Sequence, residues 1–316
     1  MKRTLQHLTD RIFMLPLVVL PHHRLSRLIH WLARSKNRTL SQALIRLVCR
    51  SYNIDLSIAA EPDLQQYASF NEFFTRTLKP GARPVAEGTE AIVSPVDGVI
   101  SQCGKIGCHS IFQAKGRQFE LTTLLGGLET RARPFVNGQF ATIYLSPRDY
   151  HRIHMPIDGT LQEMVYIPGR LYPVNNPSTR TVPGLFARNE RVAALFDTPA
   201  GPMAMILVGA LFVGSIETVW AGEITPPNGN FVQSWRYGEE NPITLKKGEE
   251  MGRFNMGSTV VLLFGEEACQ FSDQIQATTP LKMGEKIGEN GNGSPCGVMA
   301  KMGKIYTSSP FTSRVS

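Results

Sequence analysis

Apolar residues recur at two different periods along this chain. Leu25, Leu28, Ile29 and Leu32 fall three and four apart with Trp31 beside them, and Leu40, Leu44, Leu47 and Val48 repeat the spacing. A period near 3.6 predicts two amphipathic helices. Ser69-x-x-Glu72 ahead of Phe73-Phe74 is a capping-box pattern and predicts a further helix ending near Lys79-Pro80-Gly81. From Ile92 onward the period shortens, and strands are expected over 140–145, 203–208, 211–216 and 259–264, between Gly/Pro-rich turns.

Pro95-Val96-Asp97-Gly98-Val99-Ile100 and Pro156-Ile157-Asp158-Gly159-Thr160-Leu161 look alike, with Val136-Asn137-Gly138 between them. Asp-Gly and Asn-Gly tolerate positive φ at both central positions of a tight turn, so each predicts a hairpin. No strand-helix alternation suits a doubly wound parallel sheet. The expected fold class is therefore α+β: a mostly antiparallel β core, with an internally duplicated barrel-sandwich-like unit, preceded by N-terminal amphipathic helices. Residues 1–60 form the helical region, 61–288 the β-rich domain, and the Gly/Ser-rich 289–316 reads as a flexible tail.

Charge sharpens the picture of the N-terminal region. The overall +7 of the 316 residues is not spread evenly: ten Lys/Arg against one acidic residue give residues 1–50 a charge of +9, and the remainder is net acidic by two. Apolar stripes bordered by Arg, Lys and Trp suit helices lying in an anionic membrane interface. Nucleic acid fits less well, because the interleaved aromatic residues of a stacking platform are missing. No apolar run reaches the roughly 18 residues of a spanning helix. The run after Lys2-Arg3 lacks a small-residue cleavage site, so it is not read as a secretion signal. Five cysteines, Cys49, Cys103, Cys108, Cys269 and Cys296, show neither a disulfide framework nor metal-ligand spacing, and a reducing compartment is the simpler setting.

The chemistry centres on Gly252-Arg253-Phe254-Asn255-Met256-Gly257-Ser258-Thr259, just ahead of Val260-Val261-Leu262-Leu263-Phe264. Glycine lets the Gly257 carbonyl turn toward the Ser258 hydroxyl, the local geometry for a serine attacking its own preceding peptide bond. A lone Gly-Ser-Thr is far more often just the start of a strand, and other residues must decide. A serine nucleophile needs a base, and the base an orienting carboxylate. His151 and His154 share Tyr150-His151-Arg152-Ile153-His154-Met155-Pro156, and His109 is a further histidine of the β region. On a strand, residues three apart face opposite sides, though a turn before Pro156 could bring both histidines into one pocket. Asp97 and Asp158 are the candidate carboxylates, each equally readable as a turn residue. No acidic or cysteine motif accompanies the histidines, so no metal is expected.

At these residues the sequence closely resembles the bacterial phosphatidylserine decarboxylases, a pyruvoyl-dependent proenzyme family. The likeness runs from Ser69-Phe70-Asn71-Glu72-Phe73-Phe74-Thr75-Arg76 through Ser94-Pro95-Val96-Asp97-Gly98, the two-histidine segment, Pro183-Gly184-Leu185-Phe186-Ala187-Arg188-Asn189-Glu190-Arg191-Val192 and Val213-Gly214-Ser215, to Gly257-Ser258-Thr259. It covers about residues 1–288. Met256 stands where the family commonly has Leu, an exchange similar in volume and apolarity.

The resemblance implies a relay of Asp97, His154 and Ser258 that cuts the Gly257-Ser258 bond into chains 1–257 and 258–316, which stay associated. Ser258 then becomes a covalent pyruvoyl cofactor, whose carbonyl condenses with the amine of phosphatidylserine and accepts electrons as carbon dioxide leaves. The product is phosphatidylethanolamine. His151, with no duty in cleavage, is the candidate proton donor. The resemblance further implies a homodimer, peripheral on the cytoplasmic face of the cell membrane. The alternatives are a pyruvoyl decarboxylase of a soluble amino acid and a non-catalytic lipid-binding or carrier-like β domain built around Lys282. A conventional serine hydrolase would, like the carrier, leave the chain uncut.

Overall fold

The computed structural model describes residues 21–107, 110–114, 117–211, 215–226, 229–238, 240–255 and 259–291. Cys108, His109, the Met256-Gly257-Ser258 segment, Cys296 and the expected tail beyond residue 291 lie outside the described residues. Among the described residues no helix is long and apolar enough to cross a membrane.

Both amphipathic helices form where the periodicity puts them, as α1 (His22–Ala33) and α2 (Arg38–Tyr52). The Asn37 side chain accepts the Leu40 N–H at the start of α2, and Asn53 closes it in the left-handed region at φ 49°. The two helices bury different kinds of face. α2 sets Ile45 into a cluster with Tyr67, Phe70, Phe73 and Phe74, whereas α1 buries His22, Ser26 and Ala33. Leu28 and Trp31 of α1 point outward, 51% and 66% exposed.

The capping box opens α3 (Phe70–Phe74): Ser69 Oγ accepts the Glu72 N–H at 3.2 Å, and the Glu72 carboxylate accepts the Ala68 N–H at 2.7 Å. α3 stops well short of Lys79. The Thr75 hydroxyl donates back to the Asn71 carbonyl and the Arg76 N–H to the Phe73 carbonyl. The chain then leaves as an extended segment in which Leu78 bridges Ala59.

The β region is antiparallel in every strand ladder. The main sheet runs Gln233–Arg236, Gly159–Ile167, Arg191–Thr198, Gly201–Val208, Thr259–Phe264, Gln139–Tyr144, Gly98–Lys105 and Pro280–Leu281, with Thr244–Leu245 also on Gly159–Ile167. Thr259–Phe264 is paired along its whole length on both sides, and all six residues are buried. Its unbroken apolar run is the signature of a strand covered on both faces. A second sheet orders Gly222–Thr225, Ile216–Thr218, Glu250–Phe254 and Arg152–His154. Of the strand expected over 211–216, Ile216 opens the strand Ile216–Thr218, and 212–214 lie outside the described residues. Among the described residues the sheets stay open, with no closed barrel.

The internal likeness is real, but it is not a pair of hairpins. Gly98 and Gly159 each begin a long strand, and neither has positive φ. Each Asp-Gly pair instead grips a second turn far along the chain. Asp97 accepts the Met283 N–H at 2.9 Å in Lys282-Met283-Gly284-Glu285, and Asp158 accepts the Lys247 N–H at 2.8 Å in Lys246-Lys247-Gly248-Glu249. Gly284 (φ +88°) and Gly248 (φ +84°) hold the same left-handed position. Leu281 pairs with Gly98 as Leu245 pairs with Gly159.

The sheet is tightest where Gly138 leads into Gln139–Tyr144. A Cβ there would lie 1.9 Å from the Phe264 carbonyl oxygen. Gly138→Ala must part the central strands, with an expected loss of about 1–3 kcal/mol in a urea titration.

Candidate active site

The segment carrying the candidate scissile bond is anchored at both ends. Downstream, Thr259 starts the central strand opposite Tyr144 and Val208. Upstream, the Asn255 N–H donates to the Ser215 carbonyl at 3.0 Å, and the Asn255 side-chain amide donates to Ser215 Oγ. Arg253 pairs with Glu217 one strand over. Ser258 and Gly257 themselves lie outside the described residues, so the surrounding groups define the site.

The two histidines have different partners. His151 is fully buried against the Phe74 ring, with centroids 4.1 Å apart. Its Nδ1 donates to the Asp149 carbonyl at 2.8 Å, because a carbonyl can only accept. That fixes the tautomer and leaves Nε2 with a lone pair and no partner among the described residues. Its backbone carbonyl accepts the Phe254 N–H, four residues before Ser258. His154 lies further along the same ladder, opposite Glu250. Its Nδ1 donates to the Gly248 carbonyl at 2.8 Å, and its Nε2 accepts from the Tyr150 hydroxyl at 3.1 Å.

Burial depresses the basicity of both rings. His154 is held below the ordinary imidazole range, mainly by desolvation, with the Gly248 hydrogen bond working the other way. His151 is driven from an ordinary 6.5 to about 3, again by desolvation first. Both are neutral imidazoles near pH 7, which is the state a base requires. Desolvation likewise lifts the Tyr150 phenol to about 12, so it remains a hydrogen-bond donor to His154.

Asp97 is buried at 2% exposure, and it touches neither imidazole. Arg83 holds it in a two-pronged contact, Nε to Oδ1 at 2.8 Å and Nη2 to Oδ2 at 2.5 Å, and Lys282 Nζ lies 3.7 Å away. Its charge nonetheless acts on both histidines, raising their affinity for a proton. Asp158 sits at the surface on Lys246 and Lys247 and exerts no such influence. Of the two look-alike carboxylates, Asp97 is the one in the histidines' field. Among the described residues no group of His, Cys, Asp and Glu could hold a metal ion.

Sequence reasoning missed Arg83, Tyr150, Ser215 and Asn255 as members of this constellation. Tyr150 and Ser215 lay inside recognised motifs without an assigned role, and nothing local marks Arg83, whose partner is fourteen positions away.

Comparison with known proteins identifies the family. The profile of the phosphatidylserine decarboxylase family matches residues 70–289, and a second profile, described as PSD, matches residues 12–53. A phosphatidylserine decarboxylase proenzyme of Hahella chejuensis is 50% identical over 89% of this chain and 95% of its own length. Proenzymes of the same description from Ectopseudomonas mendocina and Pseudomonas aeruginosa are 52% and 53% identical over 88% and 87% of the chain, and over 98% and 96% of their own lengths. The fold and these matches define a decarboxylase made as a proenzyme. The chain belongs to the phosphatidylserine decarboxylase family.

Because the unfolded chain protonates His151 near pH 6.5 and the folded chain only near pH 3, acidification between those values must erode stability. Urea midpoints of the wild type should fall between pH 6.5 and 4.5, and His151→Gln should show a shallower fall. Parallel slopes would mean that the buried imidazole titrates normally.

Proposed function

We propose that the chain cuts itself between Gly257 and Ser258, converts Ser258 to a pyruvoyl group, and decarboxylates phosphatidylserine to phosphatidylethanolamine at an anionic membrane surface. The observation that carries the reading is the unpartnered Nε2 of His151, a buried base whose backbone is bonded to the strand leading into the cleavage segment. Asn255 Oδ1 and Thr259 Oγ1, on either side of that segment, are likewise buried without partners among the described residues. These atoms are available to a compact polar group held by the segment between Asn255 and Thr259.

In the cleavage step Ser258 is the nucleophile and His154 the base assigned by family resemblance, which requires Nε2 to exchange the Tyr150 hydroxyl for that of Ser258. Asp97, clamped by Arg83, supplies a fixed negative charge that favours the imidazolium formed. The covalent carbonyl group supplies the sink for the electrons left behind by carbon dioxide. His151 is assigned the last proton transfer: the incoming ammonium sheds its proton to solvent, and Nε2, once protonated, gives its proton to the carbon that has lost its carboxylate.

The N-terminal helices bring this site to its lipid. α1 turns a polar face to the protein, where His23 bonds the Gly169 carbonyl, and His30 and Arg34 both bind Glu223. Its apolar Leu28 and Trp31 face outward among the exposed Arg24 and Arg27. That arrangement suits a helix lying in the headgroup region.

Purified wild-type protein should convert phosphatidylserine in vesicles to phosphatidylethanolamine, and Ser258→Ala should make none. Equal turnover by the two proteins would refute the pyruvoyl mechanism, and turnover of free serine with none of the lipid would favour a soluble amino acid as substrate. Trp31→Ser should weaken sedimentation with phosphatidylglycerol-containing vesicles by about tenfold, the effect of removing one inserted aromatic side chain, while self-cleavage proceeds normally.

A further inference from the structure

Each copy of the duplicated Asp-Gly unit borders a cavity, and the two cavities differ in charge. The one beside Asp158, about 620 Å³, is bordered by Glu87, Glu90 and Asp158, with Lys247 as its basic residue and no arginine. The one beside Asp97, about 450 Å³, gathers Arg76, Arg83, Arg148 and Lys282 around Asp55, Asp97 and Asp149. The shared architecture accounts for Lys282, because Lys246 serves Asp158 in the same way. Gripping the second turn evidently needs a carboxylate, a backbone N–H and a lysine. The arginines are additional to that need.

Arg83 is spoken for by Asp97, and Arg148 lies 4.0 Å from Asp149. Arg76 is not matched in this way. It is 4% exposed, its terminal nitrogens reach only the Phe73 and Arg148 carbonyls at 3.4 Å, and its Nε has no partner among the described residues. A guanidinium withdrawn from water without a bonded counter-ion is costly, and an anion entering the cavity would relieve that cost. The cavity lies at the reactive end of the main sheet. Val99 in its wall faces Tyr144, which faces Thr259, so two strand spacings, about 10 Å, separate wall and cleavage strand. Tyr150, which donates to His154, lines the same cavity. A lipid headgroup and an arginine side chain together span that gap.

We propose that this cavity is the subsite for the phosphodiester of the lipid substrate, with Arg76 as the residue that recognises its charge. The assignment rests on the decarboxylase reading above and adds where the headgroup binds. The phosphodiester suits the site better than the reacting carboxylate does. The carboxylate loses its charge as carbon dioxide forms, so a cation fixed on it would hold the ground state more tightly than the transition state and slow the reaction. The phosphodiester keeps its charge throughout, and binding it lowers KM without opposing chemistry.

The test uses full-length protein whose self-cleavage has been verified by intact mass, with short-chain phosphatidylserine as substrate. A wild type that neither cleaves nor releases phosphatidylethanolamine would strike at the decarboxylase reading and not at the subsite. Given an active wild type, Arg76→Gln should raise KM about tenfold or more, the scale of one charge-assisted hydrogen bond, with kcat within about twofold and partial recovery in Arg76→Lys. Arg148→Gln, at an exposed position that tolerates exchange, should raise KM about threefold and carries the test if Arg76→Gln does not fold. Glu87→Gln, at an exposed position beside the other cavity, should leave both constants unchanged. Inorganic phosphate should compete with the lipid in the wild type and lose potency in Arg76→Gln. Unchanged KM in a cleaved Arg76 or Arg148 variant overturns the proposal. So does Arg76-dependent phosphate binding without competition, which would make the cavity a site for a free anion.

Discussion

The structure depends on one strand that is hydrogen-bonded on both sides. Thr259–Phe264 lies between Gly201–Val208 and Gln139–Tyr144, in register through all six residues, with every side chain buried. Whatever chemistry occurs at Ser258 therefore occurs one residue from a backbone held on both sides. A break just before this strand leaves its ladders intact, since both neighbours belong to the upstream piece. The same anchoring would hold a group at position 258 in one place relative to His151, whose own backbone is tied to Phe254. Rigid support of this kind is what a reactive group needs if its neighbours are to move protons over hydrogen-bond distances.

Duplication explains how a structural device came to carry chemistry. In both copies a carboxylate after a proline grips the backbone of a distant turn, which fastens the start of one long strand to a later segment. The copy at Asp158 does this at the surface with two lysines. The copy at Asp97 does it in the interior, and burial forces a better-matched partner on the carboxylate, which Arg83 provides. One motif thus serves once as a fastener and once as both fastener and charged neighbour of two histidines.

The parts of this arrangement that were legible in the sequence are those set by neighbours in the chain. The buried strand at 259–264, the amphipathic α1 and α2, and the capping box at Ser69 all follow from local pattern. The length of α3 did not follow, because a back-bonding threonine ended it early. The Asp-Gly pairs look locally like hairpin turns, since nothing nearby in the chain shows that each aspartate's partner is a turn some 90 or 186 positions away. The outward apolar face of α1 was equally hidden: periodicity reveals a stripe but not which side meets the protein. Candidate site residues were nameable from family resemblance, whereas the clamp of Arg83 on Asp97 and the Tyr150 hydroxyl on His154 required the fold.

The central claim is that a serine held at the head of the central strand becomes the reactive group. Intact-mass measurement of the purified wild-type protein addresses it most directly. The account predicts two chains that co-purify under native conditions, residues 1–257 and residues 258–316, the smaller with the mass of a pyruvoyl group in place of its first serine. A single uncut chain that nonetheless turns over phosphatidylserine would contradict it.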